Sequence, residues 1–162
     1  MTGFMSAHTS RRRFLAGSAR LAAGAGIASI VVAAPAGATP ETLRGAIAEI
    51  VGDAQLREGR VTLELPPLVE NGNAVPLTVS VESPMTDADH VKAIHVFNEK
   101  NPQPYVLTAR LGPRAGRARL STRIKLADAQ RVVAVAEMSD GTFWSASADI
   151  IVTIAACVEG IE

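Results

Sequence analysis

One thiol stands out among the residues able to do chemistry. Cys157 is the only cysteine of the 162-residue chain, and it lies close to the C-terminus in Ala155-Ala156-Cys157-Val158-Glu159-Gly160-Ile161-Glu162. A lone thiol in an exported chain pairs with another chain, stays inert, or reacts. Its place near a free end favours reaction, because termini are exposed unless tied down. The opposite reading is a small buried hydrophobe that ends a strand over Asp149-Ile150-Ile151-Val152-Thr153-Ile154. An unassisted thiol, with a pKa of about 8.5, is only a few per cent thiolate at neutral pH. No basic residue follows Cys157, so activation must come from an enzyme that receives the tail.

Other chemistry is sparse. Of three histidines, His8 belongs to the N-terminal leader, and His90 and His95 would face opposite sides of a single strand. They read as ordinary strand-surface positions. No histidine follows Cys157, so a blue-copper ligand cluster cannot form locally. There is no Gly-x-Ser-x-Gly, no phosphate loop and no Cys-x-x-Cys. No catalytic, cofactor-binding or metal residue is assigned. Asp87 and Asp89 read as a solvated loop rather than an acid/base pair. The run Arg110, Arg114, Arg117, Arg119, Arg123 and Lys125 reads as a wet strand face and turn, with an acidic partner as the alternative.

The leader explains why the thiol meets an oxidising compartment. Ser10-Arg11-Arg12-Arg13-Phe14-Leu15 precedes a weakly apolar stretch and the small-residue site Ala36-Gly37-Ala38. This is a secretory signal of the twin-arginine type, spanning residues 1–38. Arg20 and several glycines make it a poor membrane anchor. Twin-arginine cargo travels folded. With no cofactor motif present, a partner protein that rides along is expected. Removing residues 1–38 takes four arginines and no acid, which leaves a formal net charge of −4. That argues against nucleic acid, which demands a basic surface.

The elements that would position the thiol follow from periodicity. Thr39 to Asp53 reads as a helix, with Pro40 in its first turn, Leu43, Ile47 and Ile50 on one side, and Gly52 as its stop. Strands are expected around Val61–Leu65, Val75–Val81, Val91–Phe97, Tyr105–Leu111, Ala118–Leu126, Arg131–Glu137 and Asp149–Ile154. Leu120, Thr122, Ile124 and Leu126 share one face and Arg119, Ser121, Arg123 and Lys125 the other, so this sheet has one wet side. Turn-like breaks such as Asn71-Gly72 and Asp140-Gly141 separate the strands. The expectation is an all-β, immunoglobulin-like antiparallel sandwich over residues 39–154, with one N-terminal helix and a C-terminal arm over 155–162.

Several segments in order carry a resemblance. They are Glu70-Asn71-Gly72-Asn73-Ala74-Val75-Pro76, Ser83-Pro84-Met85, Val91-Lys92-Ala93-Ile94-His95-Val96-Phe97, Asn101-Pro102-Gln103-Pro104, Ser121 to Gln130, and Ala136-Glu137-Met138-Ser139-Asp140-Gly141. Together they resemble the SoxY family, the sulfur carriers of periplasmic thiosulfate oxidation. The resemblance implies a sandwich that forms a heterodimer with a second sandwich subunit, SoxZ, which lacks a signal of its own. It implies that the cysteine corresponding to Cys157 carries sulfur covalently. A haem cytochrome would load thiosulfate. A metal-dependent hydrolase would release sulfate, and a sulfur dehydrogenase would oxidise what remains. The carrier itself would bind no cofactor and catalyse nothing.

One difference from the family stands in the tail, where paired glycines typically flank the cysteine. Here Ala155-Ala156 precede it and Val158-Glu159 follow. Alanine and the β-branched valine restrict the backbone more than glycine, and the acids would raise the thiol pKa slightly. The alternative function is therefore an interaction subunit of the same fold, its thiol inert or serving another periplasmic oxidoreductase.

Overall fold

The computed structural model describes residues 39–154. The leader and the tail that holds Cys157 lie outside the described residues.

Helix α1 (Pro40–Val51) starts where a side chain can satisfy its free amides. Thr39 Oγ1 accepts from Thr42 N at 3.3 Å, and Thr42 Oγ1 accepts from Thr39 N at 2.6 Å. It stops at Gly52, whose φ of +60° suits a residue without a Cβ. Leu43 and Val51 are buried. With Ala46, Ile47 and Ile50 they pack on Phe97, Val133, Val135 and Phe143.

Nine strands follow: β1 (Leu56–Glu58), β2 (Val61–Glu64), β3 (Leu68–Asn71), β4 (Val75–Val81), β5 (Val91–Asn98), β6 (Tyr105–Arg110), β7 (Arg119–Ile124), β8 (Gln130–Met138) and β9 (Phe143–Ile154). One sheet has the order β1-β9-β8-β5-β6, with β3 also pairing β9; the other is β2-β4-β7. Their facing sides form the core. Val75, Leu77 and Val79 of β4 meet Ile94 and Val96 of β5 and Val132, Ala134 and Ala136 of β8, all at 1% exposure or less. The expected sandwich with one helix is present. Its ladders are antiparallel except where β1 and β3 run parallel to β9.

The smaller sheet shows the expected alternation. Arg119, Ser121 and Arg123 of β7 are exposed and Leu120, Thr122 and Ile124 are shielded to varying degrees; Thr78 and Ser121 share a hydrogen bond across the wet face at 3.0 Å. The larger sheet behaves differently. Its outer face lies partly under α1, so β5 and β8 are buried on both sides and read as near-continuous apolar runs.

Candidate functional site

The predicted site residue, Cys157, lies outside the described residues, but the structure fixes where the chain leaves the sandwich towards it. Strand β9 is longer than expected, beginning at Phe143 rather than Asp149. Its ladder with β8 ends at the pair Gln130–Ile150. Beyond it, β9 pairs with β3 alone among the described residues, in the pairs Leu68–Ile151, Val69–Val152 and Asn71–Ile154, while Val152 also packs against the core. Ile151 N donates to Pro67 O at 2.9 Å and Thr153 Oγ1 donates to Glu70 O at 3.1 Å. Ile151 and Ile154 are 56% and 64% exposed. Chain length alone keeps the Cα of Cys157 within about 11 Å of that of Ile154. Leu68, Glu70, Ile151 and Ile154 form the surface at that exit.

The Asn71 side chain accepts from Asn73 N at 2.8 Å, which turns the chain out of β3 into a short 3-10 turn and then β4. The segment that begins the resemblance thus braces the exit of β9. Two further pairs of those segments also meet in space. Asn101 Oδ1 accepts from Ala127 N at 2.9 Å and from Gln130 Nε2 at 3.0 Å, while its Nδ2 donates to Lys125 O at 2.8 Å. These bonds tie the β5–β6 loop to the β7–β8 loop, with Gln130 5% exposed. At the other end, Ser139 Oγ accepts from His90 N at 3.1 Å and donates to Ala88 O at 3.2 Å. There Met85, buried at φ +52°, is held by its N–H donating to Ser83 Oγ at 3.1 Å. Buried polar groups need such partners, so these motifs are knots of the scaffold.

The histidines depart from expectation. His90 precedes β5, and its Nδ1 lies 3.0 Å from Thr86 O. His95 is not a surface position; it is 5% exposed. Tyr105 and Thr108 of β6 and the Phe97 ring enclose it, beside a recess lined by Lys92, Arg110 and Glu137. His95 Nδ1 lies 2.7 Å from Thr108 Oγ1, while Nε2 is buried without a hydrogen-bond partner among the described residues. Burial pushes the His95 pKa down; Glu137 opposes this and Arg110 adds to it. A bulge in the β5–β8 ladder between Val91 and Ala93 brings Lys92 to Glu137, with which it forms an ion pair.

The remaining candidates stay apart. Asp87 is exposed in a loop, and Asp89 lies 3.9 Å from Arg60. In the basic run, Arg119 sits 3.9 Å from Glu64. Arg110, Arg114, Arg117, Arg123 and Lys125 have no ion-pair partner among the described residues. Among the described residues no three His, Cys, Asp or Glu side chains gather as metal ligands, and no helix is long and apolar enough to cross a membrane.

A two-sheet sandwich with a helix on one face, its last strand followed in sequence by the chain's one cysteine, defines an immunoglobulin-like class. Known proteins narrow it. The model of the sulfur oxidation protein SoxY matches residues 47–157, so the match runs from within α1 to the cysteine itself. The chain belongs to the SoxY family. The solved sulfur carrier protein SoxY from Chlorobium limicola f thiosulfatophilum is 28% identical, with a TM-score of 0.59, covering 70% of this chain and 98% of that one. A superoxide reductase (neelaredoxin) from Ignicoccus hospitalis has a TM-score of 0.53 at 19% identity, covering 71% of this chain and 94% of that one; it shares the fold alone. Comparison with curated protein sequences gives no match.

Proposed function

We propose that this protein is the covalent sulfur carrier of a periplasmic thiosulfate-oxidising system, with Cys157 Sγ as the attachment point. The observation that carries the reading is the SoxY family match, which extends to the chain's only cysteine. What the structure adds is the end of β9, exposed at Ile154, three residues before Cys157 in the sequence.

In the loading step the Cys157 thiolate and the outer sulfur of thiosulfate form a disulfide bond. Two electrons leave to a haem cytochrome, giving Cys–S–S–SO3⁻. Water then attacks the sulfone sulfur on a metal-dependent hydrolase; the S–S bond to the sulfone breaks, sulfate and protons depart, and Cys–S–S⁻ remains. A sulfur dehydrogenase would oxidise the retained sulfur to Cys–S–SO3⁻, taking oxygen from three waters, releasing six protons and passing six electrons to an electron acceptor of the same system; a second hydrolysis then breaks the S–S bond, releases sulfate and protons, and restores the thiolate. The carrier has no catalytic centre of its own in this scheme. Its sandwich docks, and residues 155–162 present the cargo. The signal over residues 1–38 would export it folded, together with a SoxZ-like subunit. Ala155 and Ala156 keep the side chains before the thiol small, while Val158 is bulkier than the glycine typical of the family.

The test is sulfate release from thiosulfate in a system reconstituted with the partner enzymes. Cys157→Ser should abolish it, with the far-ultraviolet circular dichroism and heterodimer formation unchanged. Sulfate release by the serine variant at the wild-type rate would end the carrier reading.

A further inference from the structure

The edges of the two sheets are not equally protected. β1 and β3 are three and four residues long and share one side of β9. β2 is four residues long and ends on Glu64. β7 carries Arg119 and Arg123. Short strands and charges of this kind are what keep edges from pairing with other chains. β6 has neither defence. It runs for six residues, Tyr-Val-Leu-Thr-Ala-Arg, with its one charge at the end. Among the described residues it pairs only with β5.

The backbone of that edge is open. Leu111 N donates to Lys92 O at 2.8 Å. Because residues of an antiparallel strand alternate in the direction of their N–H and C=O groups, those of Thr108 and Arg110 point away from β5. A recess flanks each end of the strand. Between the open edges of the two sheets lies one of about 480 Å³, walled by Val106, Leu107 and Ile124 with Arg123 and Lys125 beside them. On the opposite face lies one of about 320 Å³, lined by Lys92, His95, Arg110 and Glu137. Side chains of an added strand alternate between the two faces, so one strand reaches both recesses.

We infer that β6 takes an additional β-strand, apolar in its middle and acidic towards its ends, from the second sandwich subunit. This rests on the heterodimer proposed above and names the surface that forms it. Backbone bonds to Thr108 and Arg110 supply affinity, and the recesses supply selectivity. Acidic side chains answer Arg110, Arg123 and Lys125, none of which has a carboxylate partner among the described residues. A second copy of this chain is a poorer occupant: β6 contains no acid, and self-pairing would crowd Arg110, Arg123 and Lys125 of both copies into one seam. The chain's own tail is also poorer. Three strand spacings, about 14 Å, separate β9 from β6, and crossing them would use about half of residues 155–162.

The test is amide hydrogen exchange of the full chain, alone and with the second subunit. In the complex, exchange at Thr108 and Arg110 should slow at least ~10-fold. Thr108→Pro removes an N–H that no strand of this chain uses but also the hydroxyl beside His95 Nδ1, so Thr108→Val, which loses the hydroxyl alone, is its control: heterodimer affinity should fall ~10-fold in the proline variant and stay near wild type in the valine variant. Arg110→Glu, which alters only a surface charge, should weaken it as well and make the remaining binding less dependent on salt. A heterodimer that forms with these amides exchanging as before would overturn this surface and leave the carrier reading intact. Protection in the chain alone overturns it too: concentration-dependent protection would mean a second copy, and protection lost on deleting residues 155–162 would mean the tail. No complex at all would overturn the heterodimer and this surface together, while loading of Cys157, read separately by mass, would still decide the carrier chemistry.

Discussion

The centre of the larger sheet and the far end of its longest strand belong to one ladder yet obey opposite rules. Where β5 and β8 pair, Val91, Ile94, Val96, Val132, Ala134 and Val135 are fully buried, between the smaller sheet on one side and α1 on the other. At the end of β9, Ile151 and Ile154 are more than half exposed, and only the four-residue β3 holds them. Burial of apolar surface is the main source of stability, so the centre holds the fold and the end contributes little. The difference is compatible with the proposed carrier role: the centre supplies a rigid body, and the strand that leads to Cys157 in sequence ends lightly held.

Substitutions at the two places should separate these roles. Phe97→Ala empties a fully buried position beneath α1 and should destabilise the protein by about 3–5 kcal/mol, read from urea unfolding. Thr39→Ala removes the bond that Thr39 Oγ1 accepts from Thr42 N and leaves the reciprocal one from Thr39 N to Thr42 Oγ1; a loss of ~1 kcal/mol is expected, since the helix still has its apolar contacts. Ile151→Thr, at the exit, should change stability by no more than about 0.5 kcal/mol. A large loss there would mean that the strand end is part of the core, and the contrast would fail.

The buried His95 adds a pH test of the central region. Its pKa in the folded protein lies below the ordinary 6.5, chiefly because burial disfavours the charged ring. The unfolded chain then binds the proton more readily than the folded one, so this contribution is complete above about pH 6.5 and is lost as pH falls towards the lowered folded value. Stability measured from pH 7.5 down through 5.5 should decline, and His95→Gln should flatten the decline. An unchanged slope in the variant would mean that His95 does not titrate in this range.

The arm itself can be sharpened by restoring glycine. Replacing Val158-Glu159 by Gly-Gly loosens the backbone after the thiol and removes one acid. Sulfate release should stay level or rise. A large fall would show that this tail is fitted to a different set of enzymes.

What the residues revealed and what they hid follow from the same physics. α1 announced itself through Pro40, Gly52 and the spacing of Leu43, Ile47 and Ile50. β4 and β7 showed clean alternation because one face of their sheet is wet. β1 escaped notice because Leu56-Arg57-Glu58 is short and exposed throughout, and β3 because Pro67 and Glu70-Asn71 read as turns. The first half of β9, Phe143-Trp144-Ser145-Ala146-Ser147-Ala148, ends in four small residues in succession and so has a weak pattern. The burial of His95 did leave a signal. Ala93-Ile94-His95-Val96-Phe97 is nearly continuous in apolar residues, as a strand covered on both faces must be, and the apolar side of α1 needed a sheet to cover. For the site, Cys157 stood out in the sequence as the one cysteine; that the strand leading to it is braced by β3 left no sign, because a parallel contact between residues 68–71 and 151–154 leaves no local trace.

The most direct measurement is the intact mass of the exported protein, purified without reductant from cells growing on thiosulfate. A carrier at work should show adducts of sulfane, sulfonate or thiosulfonate mass. They should vanish on reduction and be absent from the Cys157→Ser variant. A bare Cys157 in cells that are actively oxidising thiosulfate, resistant to alkylation while the protein is folded, would contradict the account.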